Sequence, residues 1–175
     1  IKDEHEINLI RKACDISAEA HIEAMKSVKD GDNEQQIESM YIHEFSKRGA
    51  RFPAYNPIIA GGENACVLHY VENNQNLKST DLLLVDAGCE YEMYAADITR
   101  TFPVSGKFSE EQLQIYKIVL DALNAAIDSV KEGNNIMQPQ EISEKVITEG
   151  LVNIGLLKGD PEELHESGAY KDFYM

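Results

Sequence analysis

One stretch constrains this chain more than any other: Leu82-Leu-Leu-Val-Asp86-Ala-Gly-Cys-Glu-Tyr-Glu-Met-Tyr-Ala-Ala-Asp97-Ile-Thr-Arg-Thr-Phe102. Leu82 to Val85 is unbroken apolar sequence, the composition of a strand buried on both faces, and a carboxylate ends it. Gly88 helps the chain turn, and Tyr94 to Phe102 returns as the next strand. Period-two alternation puts Asp97, Thr99 and Thr101 on one face and Ile98, Arg100 and Phe102 on the other. Neighbouring strands lie ~4.8 Å apart, so two carboxylates on the same face of such a pair reach a shared ion.

Helices flank this region. Ile7, Ile10, Cys14, Ser17, His21, Ala24 and Val28 lie near one stripe, which predicts an amphipathic helix ending at Lys29-Asp30-Gly31. Asp32-Asn33 caps a second helix with Ile37, Met40, Tyr41 and Phe45 on its apolar face, stopping at Gly49. Pro53 and Pro57 then exclude helix. Ile58-Ile-Ala-Gly-Gly62 reads as a short strand running into a turn, and Val67-Leu-His-Tyr-Val71 as another. Ser109-Glu-Glu-Gln112 is a capping box before a long helical pattern ending at Gly133, and a shorter helix follows Pro139 with Ile142, Val146, Ile147 and Leu151 inward. The tail from Gly159 is polar and short on anchors.

The 175 residues predict one domain large enough to bury a core. Sixteen basic against thirty-one acidic side chains give a net charge of -15, which repels phosphate backbones and anionic lipid. Nucleic acid and membrane surfaces are therefore poor partners, while metal cations and cationic peptide N-termini are attracted. Cys14, Cys66 and Cys89 form no C-x-x-C, and an odd count is a poor disulfide framework, which favours a reducing compartment. No apolar run approaches the ~20 residues that span a bilayer.

Asp86 and Asp97 are the candidate ligands of a Mg- or Mn-type site, which takes hard oxygen donors and, when dinuclear, a bridging carboxylate. The local alternative is that Asp86 organises the turn at Ala87-Gly88 while Asp97 pairs with Arg100 or caps a backbone group. His69 sits among apolar neighbours as a core histidine would, although a histidine near metal-bound water is a natural proton carrier. His5, His21, His43 and His165 read as structural or surface residues. Ala60-Gly-Gly-Glu lacks the Lys-Ser/Thr of a phosphate loop, Ser105 has no adjacent base, and no cysteine pairs with a histidine.

Four blocks in order, Arg48-Gly-Ala-Arg-Phe-Pro-Ala-Tyr-Asn-Pro, Ala60-Gly-Gly-Glu-Asn-Ala-Cys-Val-Leu-His69-Tyr, Val85-Asp-Ala-Gly-Cys-Glu-Tyr and Asp97-Ile-Thr-Arg-Thr-Phe-Pro-Val-Ser-Gly-Lys-Phe-Ser, closely resemble aminopeptidase P. These are the Xaa-Pro aminopeptidases of the methionine aminopeptidase, prolidase and creatinase superfamily. The resemblance covers essentially the whole chain. It implies an α/β (α+β) fold, a partial pita-bread with an antiparallel sheet and helices packed on one face. It also implies a two-Mn²⁺ hydrolase that attacks, through a metal-bridging hydroxide, the bond between an N-terminal residue and a following proline. Its partners would be peptides with proline in second position, and the expected setting is a cytoplasmic homo-oligomer. Matched by position, Asp86 looks like the ligand of one metal, Asp97 like the bridging ligand, and His69 like the histidine beside the substrate.

The family completes its site with a histidine and two glutamates that would follow Met175, and an upstream domain often precedes the catalytic one. The chain is thus expected to be the N-terminal part of a pita-bread catalytic domain, alone weak in metal binding and inactive. Two other readings are an organellar, mitochondrial relative that removes one bulky N-terminal residue from imported proteins, and a non-catalytic pita-bread interaction module.

Overall fold

Strand register fixes where Asp86 stands. The computed structural model describes residues 1–174, and they form two compact units, the first running from Ile1 to Lys107 and the second from Phe108 onward. In the first unit, helices α1 (Glu4–Ser27) and α2 (Glu34–Lys47) precede β1 (Phe52–Pro53), β2 (Ile58–Gly61), β3 (Leu82–Asp86), β4 (Cys89–Tyr91), β5 (Tyr94–Ala95) and β6 (Thr99–Pro103). A 3-10 turn, Gly62–Cys66, follows β2. The strands form two antiparallel three-stranded sheets, ordered β2-β3-β6 and β1-β4-β5.

Both helices begin as their sequences dictate. Asp3 and Asn33 are the N-caps of capping boxes closed by Glu6 and Gln36, which satisfy backbone donors that a helix start leaves unpaired. The inner face of α1 packs against β4 and β5, and that of α2 against β1 and β2. Ala13, Ile16, Ala20 and Ala24 of α1 and Ile37, Tyr41 and Phe45 of α2 share a core with Ile59, Leu83, Val85 and Phe102. Fully burying a side chain such as Leu83 contributes about 1.5–3 kcal/mol. The α1 stripe differs from expectation at one position: Cys14 is exposed, because the buried face runs through Ala13 and Ile16 beside it. All three cysteines are free.

Three strand expectations are corrected. Burial along β3 alternates, with Leu83 and Val85 buried and Leu82, Leu84 and Asp86 partly exposed, so only one face is covered. Tyr94 to Phe102 is not one strand but two short ones, interrupted at residues 96–98, and Asp97 lies in the gap. Val67 to Val71 forms no strand; the segment is a turn in which His69 takes a left-handed backbone conformation (φ 55°). Its β-like composition is overridden by side-chain bonds from α2 described below.

The second unit contains α3 (Glu110–Asp128), α4 (Gln138–Asn153), α5 (Pro161–Ser167) and a final 3-10 turn, Ala169–Asp172. Ser109 caps α3 through the expected capping box with Gln112, and the helix ends at Asp128, short of Gly133. Leu151 is buried on α4 as expected. Gly150 lets α4 approach α3: a Cβ there would lie 2.6 Å from Ile118 Cγ2. The tail is better ordered than its polarity suggests, since the Asp160 carboxylate caps α5 by accepting from Glu162 N and Glu163 N, with Pro161 in the first turn. No helix among the described residues is long and apolar enough to cross a membrane.

Candidate metal centre

Asp86 ends the central strand of its sheet, opposite Ile58 of β2 on one side and Thr99 of β6 on the other. Two backbone bonds carry the pairing past the strand end: Ala87 N donates to Ile98 O at 3.1 Å and Ala96 N to Cys89 O at 2.9 Å. Between them Gly88 lies against the opposing chain so closely that an added Cβ would stand 1.9 Å from Ala96 O. This approach draws the Asp97 segment to the end of β3.

Tyr55, in the link between β1 and β2, joins the two carboxylates. Its hydroxyl donates to Asp86 Oδ1 at 2.6 Å and lies 3.3 Å from Asp97 Oδ1. Burial first, and then the adjacent Asp86 carboxylate, push the phenol well above its ordinary range, so it stays a donor. Two carboxylates therefore converge on a single neutral donor. That donor set suits a hard cation, which would relieve the like-charge approach. Arg100 does not relieve it, because its guanidinium donates to Thr99 O instead. Among the described residues no group of three or more His, Cys, Asp or Glu side chains is placed to hold a metal, so the pair supplies part of a ligand shell only.

The backbone behind Asp86 is held from below. His21 is buried, with Nε2 3.1 Å from Ala87 O and Nδ1 2.9 Å from Tyr41 Oη. A carbonyl only accepts, so Nε2 carries the proton and Nδ1 accepts from Tyr41. The structural reading of His21 holds. Burial lowers its pKa below the ordinary 6.5, so an unfolded chain binds more protons than the folded one below that pH. Its contribution is complete above pH 6.5 and is lost as pH falls toward the folded value. His21→Gln is expected to lower stability at pH 7.5 by about 1–3 kcal/mol. Urea midpoints at pH 7.5 and 5.5 check the sign: the gap from wild type narrows in acid.

Among the described residues, His69 forms no hydrogen bond or ion pair with Asp86, Asp97 or Tyr55. It is exposed on the turn after the 3-10 segment, not packed in the core. The sequence alone assigns Tyr55 no role; its position between Pro53 and Pro57, in an extended link, is the signal it offers.

Residues 8–173 match the model of metallopeptidase family M24. The chain belongs to this family. Over all 175 residues this M24 chain is 51% identical to a Xaa-Pro aminopeptidase of Haemophilus influenzae, covering 41% of that protein. The aminopeptidase PepP of Pseudomonas aeruginosa superimposes with a TM-score of 0.97 at 49% identity, over 99% of this chain and 39% of that one. A zinc-substituted Escherichia coli aminopeptidase P in complex with product superimposes with a TM-score of 0.96 at 44% identity, over 99% of this chain and 40% of its own. The chain thus spans about 40% of the length of the relatives it matches. The partial pita-bread fold expected from the sequence stands, with helices on one face of antiparallel sheet.

Proposed function

We propose that this M24 chain carries the aspartate-bearing part of a catalytic domain that hydrolyses the bond between an N-terminal residue and a following proline. The convergence of Asp86 and Asp97 on Tyr55 supports this reading most directly. Asp86 would hold one divalent ion and Asp97 would bridge two; manganese is the metal that the resemblance implies, and the two carboxylates are hard oxygen donors that suit it. Such ions supply Lewis acidity to a scissile carbonyl and acidify bound water. Tyr55 orients both carboxylates and keeps its proton while doing so. His69, exposed on its turn, would bind substrate and carry protons.

The surplus of acid over base draws the cationic N-terminus of a peptide toward the site. Three free thiols fit a cytoplasmic setting, and a homo-oligomer is the proposed assembly, checked by light scattering on the full-length protein.

The full-length protein, loaded with Mn²⁺, is expected to cleave Xaa-Pro-Xaa tripeptides at least about 100-fold faster than Xaa-Ala-Xaa, a discrimination of about 3 kcal/mol in transition-state binding. Equal rates would overturn the proline assignment, and release of one bulky residue regardless of the second would favour the organellar activity.

A further inference from the structure

Glu34 opens α2, and its side chain is fully buried. No lysine, arginine or histidine is paired with it among the described ion pairs. It is surrounded by donors instead. Oε1 accepts from Gly61 N at 2.9 Å and from Asn64 Nδ2 at 2.9 Å, while Oε2 accepts from Tyr70 Oη at 2.7 Å and from Gln75 N at 2.9 Å. All four contacts fall on one segment. Gly61 and Gln75 are its two ends, and Asn64 and Tyr70 lie within it on either side of His69.

The consequence for His69 is mechanical. Its left-handed backbone is an unfavourable state for a residue with a Cβ, and such states persist where the surroundings over-determine them. Here the following residue, Tyr70, is buried and tied through its hydroxyl to Glu34, and the preceding 3-10 turn is tied to the same carboxylate through Asn64. Asn74 and Asn76 add bonds from the N-cap Asn33, which seat the far end of the segment on the start of α2.

We propose that Glu34 is the positioning residue for His69: one buried carboxylate closes the 61–75 loop at four points and so presents the imidazole in a single place. The proposal rests on the reading of His69 as the histidine beside the substrate. Glu34 itself touches no substrate, and its effect passes entirely through the loop.

Glu34→Gln in the full-length protein conserves shape but turns an acceptor oxygen toward donors as an amide, which leaves at least one backbone N–H without a partner. The expected result is a tenfold or greater fall in kcat/KM with metal stoichiometry unchanged and faster amide exchange confined to residues 61–75. His69→Asn is expected to fall at least as far, and adding Glu34→Gln to it should cost less than about twofold more, since coupled residues are non-additive. Tyr70→Phe, which removes one of the four bonds, should fall about fivefold with the same pattern and serves if Glu34→Gln does not fold. Wild-type kcat/KM in the folded variant, loss of metal, or effects that multiply in the double variant would each overturn the proposal. Full activity in His69→Asn would remove the role given to His69, and this inference with it, while leaving the metal assignment of Asp86 and Asp97 to stand or fall on its own.

Discussion

Gly88→Ala is expected to disrupt the candidate metal centre more than any other single methyl group added to this chain. The reason is distance. A Cβ at this position would meet Ala96 O at 1.9 Å and Ala96 C at 2.5 Å, and those atoms are backbone, which cannot swing aside as a flexible side chain can. To admit the methyl, the chain at residues 96–97 must move away. That movement breaks the bond from Ala96 N to Cys89 O, strains the bond from Ala87 N to Ile98 O, and carries Asp97 away from Tyr55. Overpacking and the loss of buried backbone bonds together place the cost at about 3–5 kcal/mol. Gly106→Ala is the control: it has a positive φ of 72° but nothing within 4 Å, so it should cost only about 1–2 kcal/mol. Urea unfolding of both variants tests the contrast, and equal losses would show that the close approach at Gly88 is not a constraint.

This contrast also shows what a linear reading can reach. The starts of α2 and α3 were legible because their caps are local: Asn33 with Gln36 and Ser109 with Gln112 are three residues apart. The same logic applied to Asp160-Pro161 would have found α5, whose cap was hidden by the polarity of the segment around it. The aspartates were legible as candidate ligands because an apolar strand ending in a carboxylate is a local pattern too. Their meeting was expected of adjoining strands, but its route was not legible. Asp97 reaches Asp86 from a break between β5 and β6, enforced by an approach at Gly88 that spacing alone does not reveal.

Tyr55 and Glu34 illustrate the same boundary. Tyr55 acts on residues 31 and 42 positions away. Glu34 gathers four donors 27 to 41 positions away and holds a β-rich sequence, Val67 to Val71, as a turn. Local propensity points to strand there, and a buried carboxylate that must be satisfied outweighs it, because an unpaired buried charge costs several kcal/mol against about 1 kcal/mol for the whole β-propensity scale.

The largest functional effect is expected at Asp97. If it bridges two ions, Asp97→Asn removes a shared anionic ligand from both, whereas Asp86→Asn weakens the hold on one. In the full-length protein Asp97→Asn should therefore lose both metals and on the order of 10³-fold or more in kcat/KM, about 4 kcal/mol of transition-state stabilisation. Tyr55→Phe separates orientation from ligation: both carboxylates remain, but the donor that Asp86 and Asp97 share is gone. Such supporting hydrogen bonds typically carry 10–100-fold in metal affinity or activity, so Tyr55→Phe should fall between wild type and the aspartate variants. Metal analysis after gel filtration, with rates measured across a Mn²⁺ titration, decides the case. Added Mn²⁺ should recover most of the activity of Tyr55→Phe, in part that of Asp86→Asn, and least that of Asp97→Asn. An Asp97→Asn protein that retains two tightly bound ions would mean that the convergence on Tyr55 is a structural carboxylate pair and that the ligands lie elsewhere.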